Sequence, residues 1–315
     1  TDPHLKNNWS IDKLYSFMYI GHLSIYKKSI IDKVKGFTKN TQGAQDYDLL
    51  LKSLKYIKNP KHIHQILYRW RKHPDSTAMT LKSKPYALIA GASVLQNRLV
   101  NYIDKLNFKI IDTTLGYYYI SFKKLETKSV DIFINNKIKK TNTVKIFEKF
   151  LKKETKNILY FNSVKELNYL INDNNGKYLL IINRNIEKIN SKEELVNLIG
   201  YSNVKKVGFI GPKILTEDNI VNGSGLVFYR NKFRIMFNNN LDSAGYSNNL
   251  ATQSNTTAIT KDVVCIRRSV FEKEIKLFNV NYPNSYLIDA CIKLHKKNIR
   301  TVFFPQLKII TSKIK

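Results

Sequence analysis

Apolar residues recur along the chain in two spacings, one typical of helices and one typical of strands. Within residues 45–57 they fall every three or four positions, which predicts an amphipathic helix. A second helix is predicted over 84–103, with Pro85 in its first turn, where the missing N–H costs no hydrogen bond. Short apolar runs at 19–26 and 62–70 predict strands in the same part of the chain.

The rest of the chain shows strands and helices in regular alternation. Strands are predicted at 130–134, 158–161, 178–182 and 207–210, and helices at 143–151, 164–171 and 192–199. Such alternation is typical of a mostly parallel sheet with crossover helices, so the predicted fold class is α/β. The Asn-rich stretch 238–257 is predicted to be a polar surface loop.

The sequence also contains an internal repeat. After a shift of about 240 positions, residues 23–29 (LSIYKKS) align with 263–269 (VVCIRRS), an apolar run followed by two cations and a serine. One further position of shift aligns residues 48–52 (DLLLK) with 289–293 (DACIK). Self-similarity over such distances indicates that a structural unit occurs twice in the chain.

The repeat predicts a domain organisation. The strand that begins at His64 falls near Pro305, so the end of each unit aligns as well. Residues 129–315 are predicted to form a whole domain, and residues 1–110 the C-terminal half of the same domain, whose N-terminal half is missing. Residues 111–128 are predicted to be a connector. Because the first residue is threonine and not methionine, a fragment or a processed product is expected.

Composition limits the class of protein. The 315 residues are 43% hydrophobic, which supplies a sizeable core for about two domains of ~150 residues each. No apolar run reaches the ~18 residues that a membrane-spanning helix needs. Cys265 and Cys291 lie in apolar runs and are too few for a disulfide framework, which predicts a cytoplasmic protein with reduced thiols.

Charge gives a further, weaker indication. Lys and Arg number 53 against 24 acidic residues, a formal net charge of +29 that favours contact with anionic partners. The alternative is compositional bias, because Lys, Asn and Ile crowd the whole sequence and the basic residues are spread along it. No nucleic-acid partner is predicted, since neither a clustered basic face nor a known nucleic-acid-binding module is visible. Peripheral contact with an anionic membrane is expected.

Several motifs carry a family resemblance. IGHLSIYKKSII, GAQDYDLLLK, HIHQILYRWRKHPDSTA and KPYALIAG follow one another within the first 100 residues. Together they resemble the C-terminal half of a family 2 nucleotide-sugar glycosyltransferase, of the bacterial type that builds rhamnan, O-antigen and capsular polysaccharides. The second unit resembles the same family more loosely: GKYLLIINRNIE stands where such enzymes carry a strand and its metal-binding carboxylates.

The resemblance implies a fold and an activity. The fold is GT-A, a Rossmann-like, mostly parallel sheet with flanking helices, present here as one partial and one more complete copy. The activity is transfer, with inversion, of a sugar from a nucleoside diphosphate sugar to a growing polysaccharide or a lipid-linked glycan. In the family a divalent ion, Mn²⁺ or Mg²⁺, bridges the diphosphate and is held by a carboxylate pair and often a late histidine. The expected location is the cytoplasm, at the inner face of the plasma membrane.

Two residues of the first unit match catalytic positions of the family. Asp46 matches the aspartate of an (E/Q)D motif and would take the proton of the acceptor hydroxyl, since a carboxylate is ionised at neutral pH. Its alternative is a helix N-cap, which does not exclude the role of base. His73 matches a metal-binding histidine, and its alternative is a solvated loop side chain. Asp48 is expected to be structural because it recurs as Asp289.

Five further residues are candidates for ligand contacts. Arg71, Ser76 and Thr77 can donate to a diphosphate, since a guanidinium recognises phosphate through a bidentate fork. Their alternative is an ordinary polar loop. Trp70 and His22 are candidates for the acceptor cleft, and their alternatives are a core tryptophan and a structural histidine.

The second unit departs from the family at each matching position. Asn183, Arg184 and Asn185 stand where the family has its metal-binding carboxylates, and neutral amides with an arginine between them cannot supply the same charge. Leu287 stands at the position of Asp46 and cannot accept a proton. No histidine follows the last strand. The second domain is therefore predicted to be catalytically degenerate, and the alternative function is a scaffold, a glycan clamp or a partner-docking surface.

Overall fold

The computed structural model describes residues 5–69, 85–103, 108–112, 117–138, 140–223, 225–237 and 240–312. They form two compact units, one that reaches Ser121 and one that starts at Phe122. This boundary falls within the predicted connector 111–128. No described helix has both the length and the apolar character needed to cross a membrane.

The described part of the first unit is mainly helical. Its elements are α1 (Ile11–Leu14), α2 (Lys28–Val34), α3 (Gln45–Ser53), α4 (Pro85–Leu99) and a two-stranded sheet of β1 (Phe108–Asp112) and β2 (Tyr118–Phe122). The helices predicted over 45–57 and 84–103 are confirmed as α3 and α4. α2 stops because Lys35 and Gly36 take left-handed conformations, with φ of 60° and 62°.

The strands predicted at 19–26 and 62–70 are wrong for the described residues. Residues 19–27 and 61–69 contain no strand, and the latter segment is exposed along its whole length. Leu23 and Ile25 are 65% and 84% exposed. A strand needs a neighbour to pair its backbone groups, and the described part of the first unit has no strand beside either segment.

The second unit is the α/β domain that the alternation predicts. Its elements are β3 (Val130–Asn135), α5 (Lys140–Leu151), β4 (Thr155–Phe161), α6 (Val164–Asn172), β5 (Tyr178–Ile182), β6 (Lys188–Ile189), α7 (Lys192–Tyr201), β7 (Val207–Leu215), β8 (Val221–Gly223), β9 (Gly225–Tyr229), β10 (Lys232–Ile235), β11 (Ser254–Thr256), β12 (Ala258–Ile259), β13 (Val263–Arg267), α8 (Arg268–Val270), α9 (Tyr286–Lys296) and β14 (Arg300–Ile310). Every strand and helix predicted over 130–210 is confirmed within these bounds.

One large sheet organises the second unit. Its strand order is β11-β14-β7-β13-β5-β3-β4, with β6 paired to β14 and β8 to β7. The parallel ladders β3–β4, β3–β5 and β14–β7 account for most of the paired residues. α5 and α6 are the crossovers that such parallel neighbours require. β13 runs antiparallel to both β5 and β7.

The core of the second unit lies on both faces of this sheet. β5 and β13 are buried between flanking elements, which explains their continuous apolar sequences. The stretch 238–257 was predicted to be a surface loop, and this prediction is wrong for part of it. Thr252 and Gln253 are buried, and β11 at its end pairs with β14, so the polar sequence hides an edge strand.

A buried ion pair ties β3 to the element after β13. Asp131 Oδ2 accepts from Arg268 Nη2 at 2.9 Å and from the Gly176 N–H at 2.6 Å. Arg268 also donates from Nε to the carbonyl of Gly176 and from Nη1 to that of Ile171, each at 2.6 Å. Asn157 donates to Asp131 Oδ1 at 2.9 Å. Each charge is thus compensated by several partners within the core.

The two units begin their helices at corresponding positions of the repeat. α2 and α8 begin 240 residues apart, at Lys28 and Arg268, and α3 and α9 begin 241 apart, at Gln45 and Tyr286. The aligned strand differs, because 263–267 is β13 whereas 23–27 forms no strand within the described part of its unit. The tandem-copy arrangement therefore stays a prediction, to which the helix starts add support.

Candidate functional site

The loop before α3 fixes the position of Asp46. Gly43 has φ of 85°, and a Cβ there would lie 3.0 Å from the Cα of Ala87, so this close approach favours glycine. Asp46 is the second residue of α3, exposed, with Oδ1 accepting from the N–H of Tyr47 at 2.8 Å. The N-cap is Ala44, so the N-cap alternative for Asp46 is wrong. A carboxylate in the first turn interacts favourably with the helix dipole.

Tyr26 lies within electrostatic range of Asp46. Burial, and after it the negative charge of Asp46, raises the pKa of the Tyr26 phenol to about 12. The phenol is therefore a neutral hydrogen-bond donor at physiological pH. The segment before α2 thus supplies a neutral hydroxyl group that interacts electrostatically with the carboxylate at the start of α3.

Asp48 has the structural role that the repeat predicts. Its buried carboxylate accepts from Arg98, with Nη2 at 2.6 Å and Nε at 2.7 Å, and from the hydroxyl of Thr38. Lys52 lies one helical turn further on, at 3.9 Å. The aligned pair in α9, Asp289 and Lys293, is 2.8 Å apart, so the two helices share this feature.

The other predicted contacts of the first unit are only partly described. His22 is exposed, its ring centroid lies 5.3 Å from that of Tyr68, and its carbonyl accepts from Lys6 Nζ at 2.7 Å. The remaining candidates, which stay predictions, lie outside the described residues: Trp70, Arg71, His73, Ser76 and Thr77.

In the second unit, Asn183 directly follows β5 and is held by a network of neutral groups. Its Nδ2 donates to the carbonyl of Lys261 at 2.9 Å and to Tyr286 Oη at 3.0 Å. Its Oδ1 accepts from Asn135 Nδ2 at 3.1 Å. Burial raises the pKa of the Tyr286 phenol, so this ring also stays neutral. The amide group of Asn183 is therefore engaged in hydrogen bonds within the protein.

Arg184 places a cation where the family has a carboxylate. Its Nη1 donates to Asp262 Oδ1 at 3.1 Å, and its side chain is only 10% exposed. Asn185 is half-buried next to it. The described residues contain no group of three or more His, Cys, Asp or Glu side chains placed to hold a metal ion. The residues of this second site therefore do not fit a divalent ion.

Arg184 lies apart from Arg267 and Arg268, the two arginines of the repeat. In the ladder of β13 and β5, Val263 pairs with Ile182, two residues before Arg184, whereas Arg267 pairs with Tyr178 at the far end. Four residues of strand separate these ends by roughly 13 Å. Arg268, the other arginine, is held in the buried pair with Asp131.

Leu287 shows what has replaced the candidate base in the second unit. It is the second residue of α9, as Asp46 is the second residue of α3. Its side chain is buried in the core with Phe271 and Phe278. The helix start that exposes a carboxylate in the first unit thus serves packing in the second.

Sequence reasoning missed the partners of Asn183. Asn135, Tyr286 and Asp262 meet it from three other parts of the chain. One signal was present for Asn135, which follows the buried strand β3 just as Asn183 follows β5. Because the carboxyl ends of parallel strands lie at the same edge of a sheet, such residues are expected to meet.

We expect the second unit to take up no Mn²⁺ in the micromolar range. The carboxylate of Asp262 is already paired with Arg184, and amides supply no compensating charge. Calorimetric titration of the whole chain with Mn²⁺ measures this, with and without nucleotide sugars. The variant Asp262→Asn tests where any bound Mn²⁺ lies. Binding elsewhere in the chain should be unaffected by this substitution. Micromolar binding that Asp262→Asn abolishes would contradict the expectation.

Comparisons with known proteins relate the chain to much longer ones. No family model matches it. The protein y4gI of Sinorhizobium fredii is 24% identical over 351 aligned positions, which cover 96% of this chain and 38% of that protein. The O-antigen biosynthesis protein RfbC of Myxococcus xanthus is 22% identical over 256 positions, 71% of this chain and 20% of that protein. The chain therefore spans less than two fifths of either relative.

A solved structure, that of GalNAc-T7 with UDP, GalNAc and Mn²⁺, aligns with 67% of this chain and 47% of its own. The TM-score is 0.40 at 10% identity, which is too distant to assign a fold. The sequence relatives are more informative. Over 71% of its length, the chain is similar to part of a protein of O-antigen biosynthesis.

Proposed function

We propose that the chain is part of a family 2 nucleotide-sugar glycosyltransferase that builds a cell-surface polysaccharide. The observation that carries the proposal is the exposed carboxylate of Asp46 at the start of α3, held there by the tight loop at Gly43. This is the position that the (E/Q)D motif assigns to a catalytic base. The similarity to an O-antigen biosynthesis protein supports the same class of acceptor.

The chemistry proposed for Asp46 is general-base catalysis with inversion. The carboxylate takes the proton of an acceptor hydroxyl, whose oxygen forms a bond to the anomeric carbon of the donor sugar. The bond from that carbon to the diphosphate breaks on the opposite face, and the nucleoside diphosphate leaves with the electron pair. In this proposal a divalent ion would be held outside the described residues, by His73 and by carboxylates upstream of the chain.

Exposed apolar side chains support the idea that the first unit is half of a domain. At an offset of 241, Ile63, Ile66 and Tyr68 align with residues of β14 that are fully buried. Ile66 is 73% exposed, whereas its counterpart Leu307 is inaccessible. Such positions suit a strand whose neighbours come from elsewhere.

The segment before α2 supports the same arrangement. Leu23 and Ile25 are largely exposed, and their counterparts Val263 and Cys265 are buried in β13 between β5 and β7. The first unit would thus be completed by a segment that carries strands equivalent to β5 and β7. We propose that this segment precedes residue 1 in the parent protein.

For the second unit we propose a non-catalytic role, as a scaffold or a surface that holds the glycan or a partner. The buried Leu287 and the network around Asn183 favour this, because neither can accept a proton from an acceptor. The proposed ligands of the whole enzyme are a nucleoside diphosphate sugar and a glycan or lipid-linked acceptor. Its proposed place is the cytoplasmic face of the plasma membrane.

The test is sugar transfer by the chain with and without the polypeptide encoded before it. We expect the upstream coding sequence to contain a strand followed by a DxD-type carboxylate pair. The extended protein should transfer sugar from a nucleoside diphosphate sugar to a glycan acceptor, and residues 1–315 alone should not. Leu23→Asp in the extended protein is expected to remove transfer by preventing the strand from packing.

Two results would contradict the proposal. The first is an upstream sequence that lacks a strand followed by a carboxylate pair. The second is equal sugar transfer by the short and the extended protein. Leu241→Asp is a matched control for Leu23→Asp, because Leu241 is also a largely exposed leucine, at 68%, but lies in the second unit. It should leave transfer unchanged.

A further inference from the structure

A hairpin of two short strands extends from the second unit. β9 and β10 pair antiparallel, with Tyr229 opposite Lys232 and Phe228 opposite Phe233. The two residues of the turn, Arg230 and Asn231, have φ of 47° and 59°. Positive φ at both positions is typical of the tight type I′ turn, which fixes the register of the hairpin.

One face of the hairpin is apolar from its base to its tip. Because side chains alternate along a strand, Leu226 and Phe228 share a face with Phe233 and Ile235 of the partner strand. Leu226 belongs to the core, and Phe233 and Ile235 pack against the same core. Phe228, at the tip, is 56% exposed, with its ring centroid 5.1 Å from that of Phe233. The apolar surface therefore runs outwards into solvent.

The other face carries cations around an exposed aromatic ring. Arg230 and Arg234 lie over the ring of Tyr229 at 5.2 Å and 5.9 Å, and this ring is 53% exposed. Lys232 lies opposite Tyr229. The sequence from 225 to 240 contains these three cations and no acidic residue. The positive charge of the hairpin is thus not balanced within the segment itself.

We propose that this hairpin docks on an anionic membrane surface. Aromatic side chains favour the boundary between the acyl chains and the head groups, and Arg and Lys attract anionic head groups. Phe228 and Tyr229 would enter this boundary, with the guanidinium groups of Arg230 and Arg234 on the phosphates. This assignment deepens the membrane location proposed above, while the observations that carry it do not depend on the transferase chemistry.

Charge complementarity favours a lipid surface over a glycan as the occupant. Neutral sugars are held by a ring together with several amide or carboxylate groups, whereas residues 228–233 contain one amide side chain, that of Asn231, and no carboxylate. Three cations near an anionic bilayer, in contrast, act together with the two exposed rings. A hairpin with one apolar and one basic face is the β counterpart of an interfacial amphipathic helix.

The test uses the whole chain with vesicles of phosphatidylcholine, alone or with added phosphatidylglycerol. Binding is expected only to the vesicles with phosphatidylglycerol. The triple variant Arg230→Ser, Lys232→Ser, Arg234→Ser should bind about 100-fold more weakly, at roughly fivefold for each cation near the surface. The matched control removes the same charge from exposed positions on or beside α5: Lys145→Ser, Lys149→Ser and Lys152→Ser. It should lower binding by a few fold only.

Insertion of the hairpin tip into the bilayer is measured separately, with the variant Phe228→Trp. Its emission should shift to the blue on binding and be quenched by lipids brominated in the acyl chain. Thermal unfolding of each variant shows whether it is folded. Equal loss of binding in the two triple variants would overturn the proposal, as would an emission of Phe228→Trp that vesicles leave unchanged. Binding of the hairpin to polysaccharide without any preference for vesicles would assign the surface to a glycan instead.

Discussion

Arg268→Met is expected to destabilise the second unit by about 3–5 kcal/mol, because it leaves the buried charge of Asp131 without its partner. Asp131 is inaccessible to solvent, and the Arg268 Nη2–Asp131 Oδ2 contact is 2.9 Å. The variant also removes the donors to two main-chain carbonyls, those of Ile171 and Gly176. Because a buried acceptor left without a donor costs about 1–3 kcal/mol, these two carbonyls place the expected loss at the upper end of the range or above it.

Two further variants separate burial from charge in this prediction. The double variant Asp131→Asn, Arg268→Met should lose less stability than Arg268→Met alone, since it removes the uncompensated charge. Glu126→Gln breaks the surface pair with Lys177 and should cost less than about 1 kcal/mol, because that glutamate is exposed. Hydrogen exchange of β5 peptides in urea reports on this unit alone. A cost below 1 kcal/mol for Arg268→Met would show that the pair is dispensable.

The strands and helices of the second unit are predictable because their local signals agree with their environment. β5 lies between flanking elements and is buried at every position, so its sequence is one continuous apolar run. α6 begins at the Ser163 N-cap, whose hydroxyl accepts from the N–H of Glu166. The antiparallel direction of β13 carries no comparable local signal. The direction of β13 depends on how the chain returns to the sheet after β7, and this is set by tertiary packing.

The two failed strand predictions of the first unit have one physical cause. Residues 23–27 and 263–267 have similar sequences, yet only the second segment lies between paired strands. A pattern of apolar residues indicates that a segment is able to form a strand. Whether it does so depends on a neighbouring strand with which it can pair. β11, over Ser254–Thr256, shows the converse, because this polar sequence forms an edge strand where β14 offers it a partner.

At the candidate sites, the sequence shows which residue types occupy the family's positions, but it does not show which residues they contact. The replacement of carboxylates by Asn183 and Arg184 is visible in the sequence alone. Their partners Tyr286 and Asp262 are not, because they are brought close only by the packing of α9 and the start of β13. The pairing of Arg184 with Asp262 strengthens the argument against a metal ion there, since the Asp262 carboxylate is already bound to a cation.

Asp46 and Asp48 offer a pair of variants with opposite expected effects. They are two residues apart in α3, one exposed and the other buried against Arg98. In the protein extended by its upstream part, Asp46→Asn should lower the turnover number by ~10²–10⁴, the usual contribution of a general base. It should leave donor binding unchanged and lower stability by less than about 1 kcal/mol, the usual size of a helix-dipole interaction at an exposed first turn.

Asp48→Asn should give the reverse result. It weakens charged hydrogen bonds to Arg98, which are worth about 1.5–3 kcal/mol, and should therefore lower stability while the folded enzyme keeps its turnover. Turnover at saturating donor and the unfolding midpoint, measured on both variants, distinguish a base from a structural carboxylate. If Asp46→Asn turns over at a near-normal rate, Asp46 is not the base. If both variants lose turnover in proportion to stability, α3 supports the site without supplying its chemistry.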